Sequence, residues 1–413
     1  MARRSRDPLF ICRAGASGGQ DRGKEDALIN LKLPRADGAL EWFELSDASP
    51  YPLVAHGAFP RIAYAAAHVV LDPLRVADPW GRPAIDWDRT MAFRDHLWDL
   101  GFRVAEAMDT SQRGMGLDWP EASELIARAL RHARARDGAD LACGAGTDQL
   151  ADARSLDDVV AAYEEQVGFI EKHGGRVILM ASRALARLAR GPEDYAFVYD
   201  KILSQLREPA VLHWLGDMFD PALAGYWGAK DFDGALRVVL DLIGRNVAKV
   251  DGIKISLLDA QKEVILRRLL PEGVRMYTGD DFNYAELIAG DGKHFSHALL
   301  GIFDPIAPAA AAALARLGAG DREGFDAILA PTVVLSRVIF EAPTQYYKAG
   351  VVFLAWLNGF QDHFTMVGGM QSARSVVHYS NVFRLADRAR LFSDPPRAAR
   401  RMGMLLATHG IGP

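Results

Sequence analysis

The feature that most constrains this chain is a repeat of form rather than of sequence. From about residue 61 onward, short apolar runs rich in small and β-branched residues alternate with amphipathic stretches of roughly 12 to 20 residues, the pattern of successive βα units. Strands are expected at Arg61–Leu71, Phe102–Met108, Asp140–Ala145, Arg176–Ala181, Ala210–Trp214, Gly252–Ser256, Val274–Thr278 and Phe295–Leu299. Helices fall between them, near 87–100, 119–136, 156–173, 193–207, 231–247, 260–270, 282–290 and 306–318. Eight such units in order can close into a (β/α)8 TIM barrel, with its functional groups at the C-terminal ends of the strands. The rival is a doubly wound open sheet, which calls for a glycine-rich turn after its first strand. Here Leu71 is followed by Asp72-Pro73-Leu74-Arg75, so the barrel is favoured.

The flanks read differently. Residues 1–25 are rich in Arg, Gly and Asp without periodicity and are expected to form a loose arm. Ala27–Leu33 and Ala39–Leu45 alternate like strands around an Asp37-Gly38 turn, so a β-hairpin is expected ahead of the barrel. Beyond the eighth helix, Asp321–Ala342, Tyr346–Phe360 and Ser372–Asp387 keep helical periodicity with no strand between them. The expected division is 1–60 as arm and hairpin, 61–320 as barrel, and 321–413 as a helical region packed on it.

Composition narrows the function classes. A net charge of −5 over 413 residues, with arginines interspersed among acids, gives no footprint for a polyanion, and nucleic acid is not expected as a partner. Half the residues are hydrophobic, yet no apolar run approaches the ~20 residues a bilayer span needs, and Leu9–Cys12 is too short for a signal-peptide core. Only Cys12 and Cys143 occur, which excludes a disulfide framework or a cysteine metal cluster and suits a reducing cytoplasm.

The most informative segment is Val250-Asp251-Gly252-Ile253-Lys254-Ile255-Ser256, where a single lysine sits within a short apolar strand. Burying an ammonium is costly, and that cost favours the neutral, nucleophilic amine. Two bland readings stand beside catalysis: an interior ion pair with Asp280 or Asp281, or a strand-edge lysine reaching solvent. The residues alone leave these open.

The segment resembles the dihydrodipicolinate synthase and N-acetylneuraminate lyase family of class I aldolases. Gly252-Ile253-Lys254 is similar to the family's Schiff-base strand, and Thr278-Gly279-Asp280-Asp281 to its turn after strand seven. Gly81–Trp87, Leu117–Glu121, Gly320-Asp321 and Tyr347-Lys348-Ala349 extend the likeness over about 61–360. The resemblance implies a lyase, aldolase or hydro-lyase that forms a Schiff base through Lys254 with a 2-keto acid or keto-sugar derivative. It implies no cofactor and a homodimer or homotetramer. It places the family's hydroxyl pair on Thr110 and Ser111, beside Asp109, where they would hold the substrate. The family's proton-relaying tyrosine on strand five aligns with His213, and its strand-four tyrosine region reads Met180–Ala184, where Arg183 is available to an anionic substrate. The family's glycine and glutamate after the hydroxyl pair are Gln112 and Arg113 here, which marks a divergent branch with its own substrate.

Asp280 is expected to support the lysine electrostatically, and Asp281 to cap the helix that follows. Trp214 is expected either to line the pocket or to be buried. Asp72, Glu106, Asp109, His213 and Asp280 all lie near expected strand ends, so a metal-assisted sugar isomerase or epimerase is an alternative, although no histidine spacing supports a metal and none is assigned. The remaining alternative is a noncatalytic barrel that binds a small metabolite.

Overall fold

The computed structural model describes residues 31–55, 57–75, 78 and 80–412. Cys12, the 1–25 arm and the first part of the expected hairpin strand lie outside the described residues. The hairpin consists of β1 (Leu31–Pro34) and β2 (Leu40–Phe43), antiparallel with Leu31 opposite Phe43. Gly38 turns the chain at φ +83°, a left-handed conformation that glycine adopts without steric cost.

Eight parallel strands then close into a barrel, each hydrogen-bonded to the next in chain order and the last to the first. They are β3 (Ala63–Ala66), β4 (Arg103–Glu106), β5 (Leu141–Ala145), β6 (Arg176–Leu179), β7 (Ala210–Leu215), β8 (Val250–Ser256), β9 (Arg275–Thr278) and β10 (His297–Leu300). All eight expected strands are present. The first is much shorter than its apolar run, because beyond Ala66 the chain leaves the barrel and Leu71 instead bridges antiparallel to Ile85.

The connecting helices are α1 (Trp87–Asp99), α2 (Trp119–Arg134), α3 (Leu156–Lys172), α4 (Arg183–Leu188), α5 (Pro192–Gln205), α6 (Phe232–Arg245), α7 (Ala260–Leu269), α8 (Tyr284–Ala289) and α9 (Ala307–Gly318). Their starts follow local chemistry: Asp86 and Asp231 accept from backbone amides as N-caps, and Ser155 with Asp158 forms a capping box. The short α4 sits between β6 and α5, where sequence reading placed no helix.

Four further helices follow: α10 (Arg322–Ile339), α11 (Tyr347–Leu357), α12 (Val376–Arg388) and α13 (Pro395–Thr408). α10 packs on α9 and α8, while α12 and α13 reach back to β1. Arg384 on α12 donates to the carbonyls of Leu33 and Pro34, each at 3.0 Å, and Asp387 accepts from the Ser46 amide and hydroxyl at 3.0 and 2.8 Å. The two ends of the described chain are thus tied together. α11 is buried along its whole length. Among the described residues, no helix is long and apolar enough to cross a membrane.

Candidate active site

In a parallel barrel, residues at the same height on neighbouring strands point the same way, and consecutive residues on one strand point to opposite faces. Val211 and Tyr277 belong to the small core inside the barrel, whereas Ile253 and Ile255 belong to the layer between strands and helices. His213 is in register with Lys254, and Lys254 with Tyr277, so both His213 and Lys254 face the barrel axis. Toward the N-terminal end, the Tyr277 hydroxyl donates to Asp251 at 2.7 Å and Arg275 pairs with the same carboxylate, closing the barrel below.

Lys254 is 8% exposed. Burial lowers its pKa, and the carboxylates of Asp109 and Asp281 act against that shift. Among the described residues, no carboxylate oxygen lies within 4.0 Å of its ammonium. Gly279 makes room for the side chain, since a Cβ there would overlap the Ser256 hydroxyl and Lys254 Cε. His213 is buried, and burial, reinforced by the Lys254 charge, pushes its pKa well down, so the imidazole is neutral near pH 7. Its Nε2 lies 3.3 Å from Ser256 Oγ, and its Nδ1 has no partner among the described residues.

The two aspartates after β9 exchange the roles expected of them. Asp280 accepts from the amides of Phe282 and Asn283 at 2.9 and 3.1 Å and from Asn283 Nδ2 at 2.8 Å, so it is Asp280 that organises the turn into α8. Asp281 instead accepts from the Ile302 amide at 3.0 Å, and burial raises its carboxyl to about 7 although the Lys254 charge lowers it. Of these two aspartates it is therefore Asp281 that acts on the lysine, together with Asp109.

Asp109, Thr110 and Ser111 form a single turn after β4, flanked by two non-glycine residues in the left-handed region, Ala107 at φ +54° and Gln112 at φ +66°. Such strained backbone persists where surrounding structure fixes it. Here Gln112 Nε2 donates to Val367 O at 2.8 Å. Thr110 and Ser111 are buried with their hydroxyls engaged: Ser111 Oγ donates to Met108 O at 2.7 Å, and Thr110 Oγ1 pairs with the Tyr347 hydroxyl at 2.8 Å. Tyr347 comes from α11 and lies beside Gly301, where a Cβ would stand 3.1 Å from its ring. Sequence reasoning aligned Tyr347 and Lys348 with a C-terminal helical region but not with the barrel mouth.

A cavity of about 660 Å³ opens across the C-terminal ends of β4 to β7, lined by Asp109, Thr147, Met180, Arg183, Asp220 and His213 among others. Lys254 is not among the lining residues; it lies on the next strand, β8, in register with His213. Arg183 is exposed and paired with Asp220. Arg113 is not free for a ligand, since it clamps Asp148 at 2.7 and 3.0 Å and donates to Gly144 O at 2.8 Å.

Trp214 does not belong to this site. Following His213 on the same strand, it points outward, stacking on Phe232 at 5.8 Å and packing edge-on to Trp227 at 6.2 Å. Of the acids considered for a metal, three are engaged elsewhere: Glu106 is paired with Arg94, Asp72 with Arg75, and Asp280 with its turn, which leaves Asp109 on the cavity wall. Among the described residues, no three His, Cys, Asp or Glu side chains converge as ligands.

A sequence family described as "protein of unknown function (DUF993)" matches residues 31–411. The chain belongs to this family. No curated protein matches the DUF993 chain. Among solved structures, it is similar to dihydrodipicolinate synthase from Bacillus clausii, with 16% identity and a TM-score of 0.59 over 80% of this chain and 98% of that one. The enzyme from Bacteroides thetaiotaomicron gives 14% and 0.59 over 80% and 99%. The chloride-inhibited enzyme from Acinetobacter baumannii, solved with pyruvate, gives 16% and 0.58 over 80% and 99%. At these identities the likeness establishes a shared barrel fold for the DUF993 chain, and the chemistry has to be argued from its own residues.

Proposed function

We propose that this protein is a class I lyase or aldolase, or a hydro-lyase, acting on a 2-keto acid or keto-sugar derivative through a Schiff base at Lys254. The observation that carries the reading is a buried lysine facing the barrel axis, with no carboxylate in contact and a neutral imidazole on the neighbouring strand. The amine of Lys254 attacks the carbonyl carbon, and loss of water from the carbinolamine leaves a cationic iminium. That iminium accepts the electron pair of the bond broken next to it, or releases a proton to become the nucleophilic enamine of a condensation. His213, neutral and with an unpartnered Nδ1, takes and returns the proton. Asp281 supplies negative charge to the iminium once ionised, the role first expected of Asp280.

The cavity lined by Asp109 and Arg183 would hold the remainder of the substrate, with the buried Thr110 and Ser111 fixing the turn that presents Asp109 to it. The resemblance further suggests a cytoplasmic homodimer or homotetramer, which light scattering on the purified chain would test.

Incubation with 2-keto acids and keto-sugars, reduction with borohydride and peptide mapping tests the mechanism. A reduced adduct on Lys254, absent in Lys254→Ala, is expected. An adduct on another lysine, or none with a carbonyl compound that binds, overturns it.

A further inference from the structure

The barrel mouth contains a second lysine that this chemistry leaves without a role. Lys348, the second residue of α11, is 3% exposed. Its Nζ donates to Gln345 O at 3.0 Å, lies 3.4 Å from Met115 Sδ and stands 4.6 Å from the centre of the Tyr347 ring. Among the described residues, no carboxylate oxygen lies within 4.0 Å of it. An ammonium carries three donors, and a buried one without a counter-ion is costly. Its place adds to the cost, because the first turn of a helix is the positive end of the macrodipole, where cations are disfavoured.

Its surroundings tie this cation to the site. Its neighbour Tyr347 holds Thr110, which adjoins Asp109, and the Lys348 Nζ lies against Met115, which adjoins Gly114; Asp109 and Gly114 both line the large cavity, and Lys348 stands behind that wall rather than in it. Burial lowers its pKa to about 8, with Asp109 acting against the shift, so the ammonium form prevails at neutral pH. The hydroxyls of Thr110 and Ser111 are meanwhile engaged within the protein.

We propose that Lys348 is the anion-binding residue of this site: it receives the negatively charged group of the substrate, and so selects anionic over uncharged carbonyl compounds. The kind of compound rests on the Schiff-base reading of Lys254, but the ion pair itself needs no covalent step.

Thermal unfolding of the full chain with added ligand tests this. Pyruvate and 2-oxobutyrate are compared with their methyl esters, and dihydroxyacetone phosphate with dihydroxyacetone, on wild type, K254M, K348R and K348M. At least one anion stabilises wild type and K254M more than its uncharged counterpart, and which pair does so tells carboxylate from phosphate. K348R retains the preference. K348M loses it, with about a tenfold or greater fall in apparent affinity for the anion. K348Q, similar in length but uncharged, gives the same reading where K348M does not fold.

Anions and uncharged counterparts that stabilise wild type equally overturn the proposal, as does a preference that survives in K348M or K348Q. Because K254M cannot form an iminium, a failed Schiff base leaves the charge preference in place. A failed anion site leaves trapping on Lys254 in place.

Discussion

Replacing Asp281 by Asn separates what the fold gains from what the site requires. Asn keeps an oxygen for the Ile302 amide, now 3.0 Å from Asp281 Oδ1, and removes only the ionisation. Burial raises this carboxyl from 3.8 to about 7, so the folded protein holds the proton more tightly than the unfolded chain does. Stability then falls as pH rises from about 4 through about 7, and the loss is complete above that window. At ~1.4 kcal/mol per tenfold change in proton affinity, the cost at pH 8 is at most about 4 kcal/mol. Guanidinium unfolding at pH 4.5 and pH 8, values chosen at roughly the two ends of that window, measures it. Asp281→Asn should match wild type near the acid end and exceed it at the alkaline end, while trapping of carbonyl compounds on Lys254 falls. A variant with the pH dependence of wild type, or one less stable at pH 8, would refute a buried carboxyl held near neutrality beside the lysine.

Two further substitutions probe the frame around the site. Gly279→Ala places a methyl group where Lys254 Cε and the Ser256 hydroxyl lie, so a loss of roughly 1–3 kcal/mol in denaturant unfolding is expected, with weakened borohydride trapping. Arg94 and Glu106 are both fully buried and joined by two hydrogen bonds of 2.8 and 3.0 Å. Arg94→Met leaves the carboxylate uncompensated and should cost about 3–5 kcal/mol, most of it recovered on adding Glu106→Leu, as a double-mutant cycle by chemical denaturation would read.

The barrel was legible in the sequence because each of its strands is a short apolar run set between helical periodicities, a signal local to the strand itself. α4, with six residues, is too short to show amphipathic periodicity. α13 lies beyond the last helical stretch expected from the sequence, although Asp394 followed by two prolines is a helix-start signal. Lys254 stood out locally, as a lone lysine within an apolar strand, whereas His213 was singled out only through the family resemblance. The outward direction of Trp214 follows from strand parity once its neighbour His213 faces the axis, so the sequence held that answer too. The exchange of roles between Asp280 and Asp281 depends on the path of the loop toward Ile302, which no local pattern encodes. The place of Tyr347 and Lys348 was least accessible, since the contact to Thr110 spans 237 residues.

The clasp between the chain ends bears on when the site can exist during synthesis. Translation delivers Lys254 and His213 with the strands, but Tyr347, which grips Thr110, arrives only after the eighth strand and α10. Arg384 and Asp387, which fasten Leu33, Pro34 and Ser46, arrive later still. A ribosome-bound chain that stops after β10 has all eight barrel strands but neither the tyrosine and lysine of the mouth nor the anchor for its own hairpin. The nucleophile is therefore made well before its surroundings, and those surroundings assemble only after all eight barrel strands have been delivered.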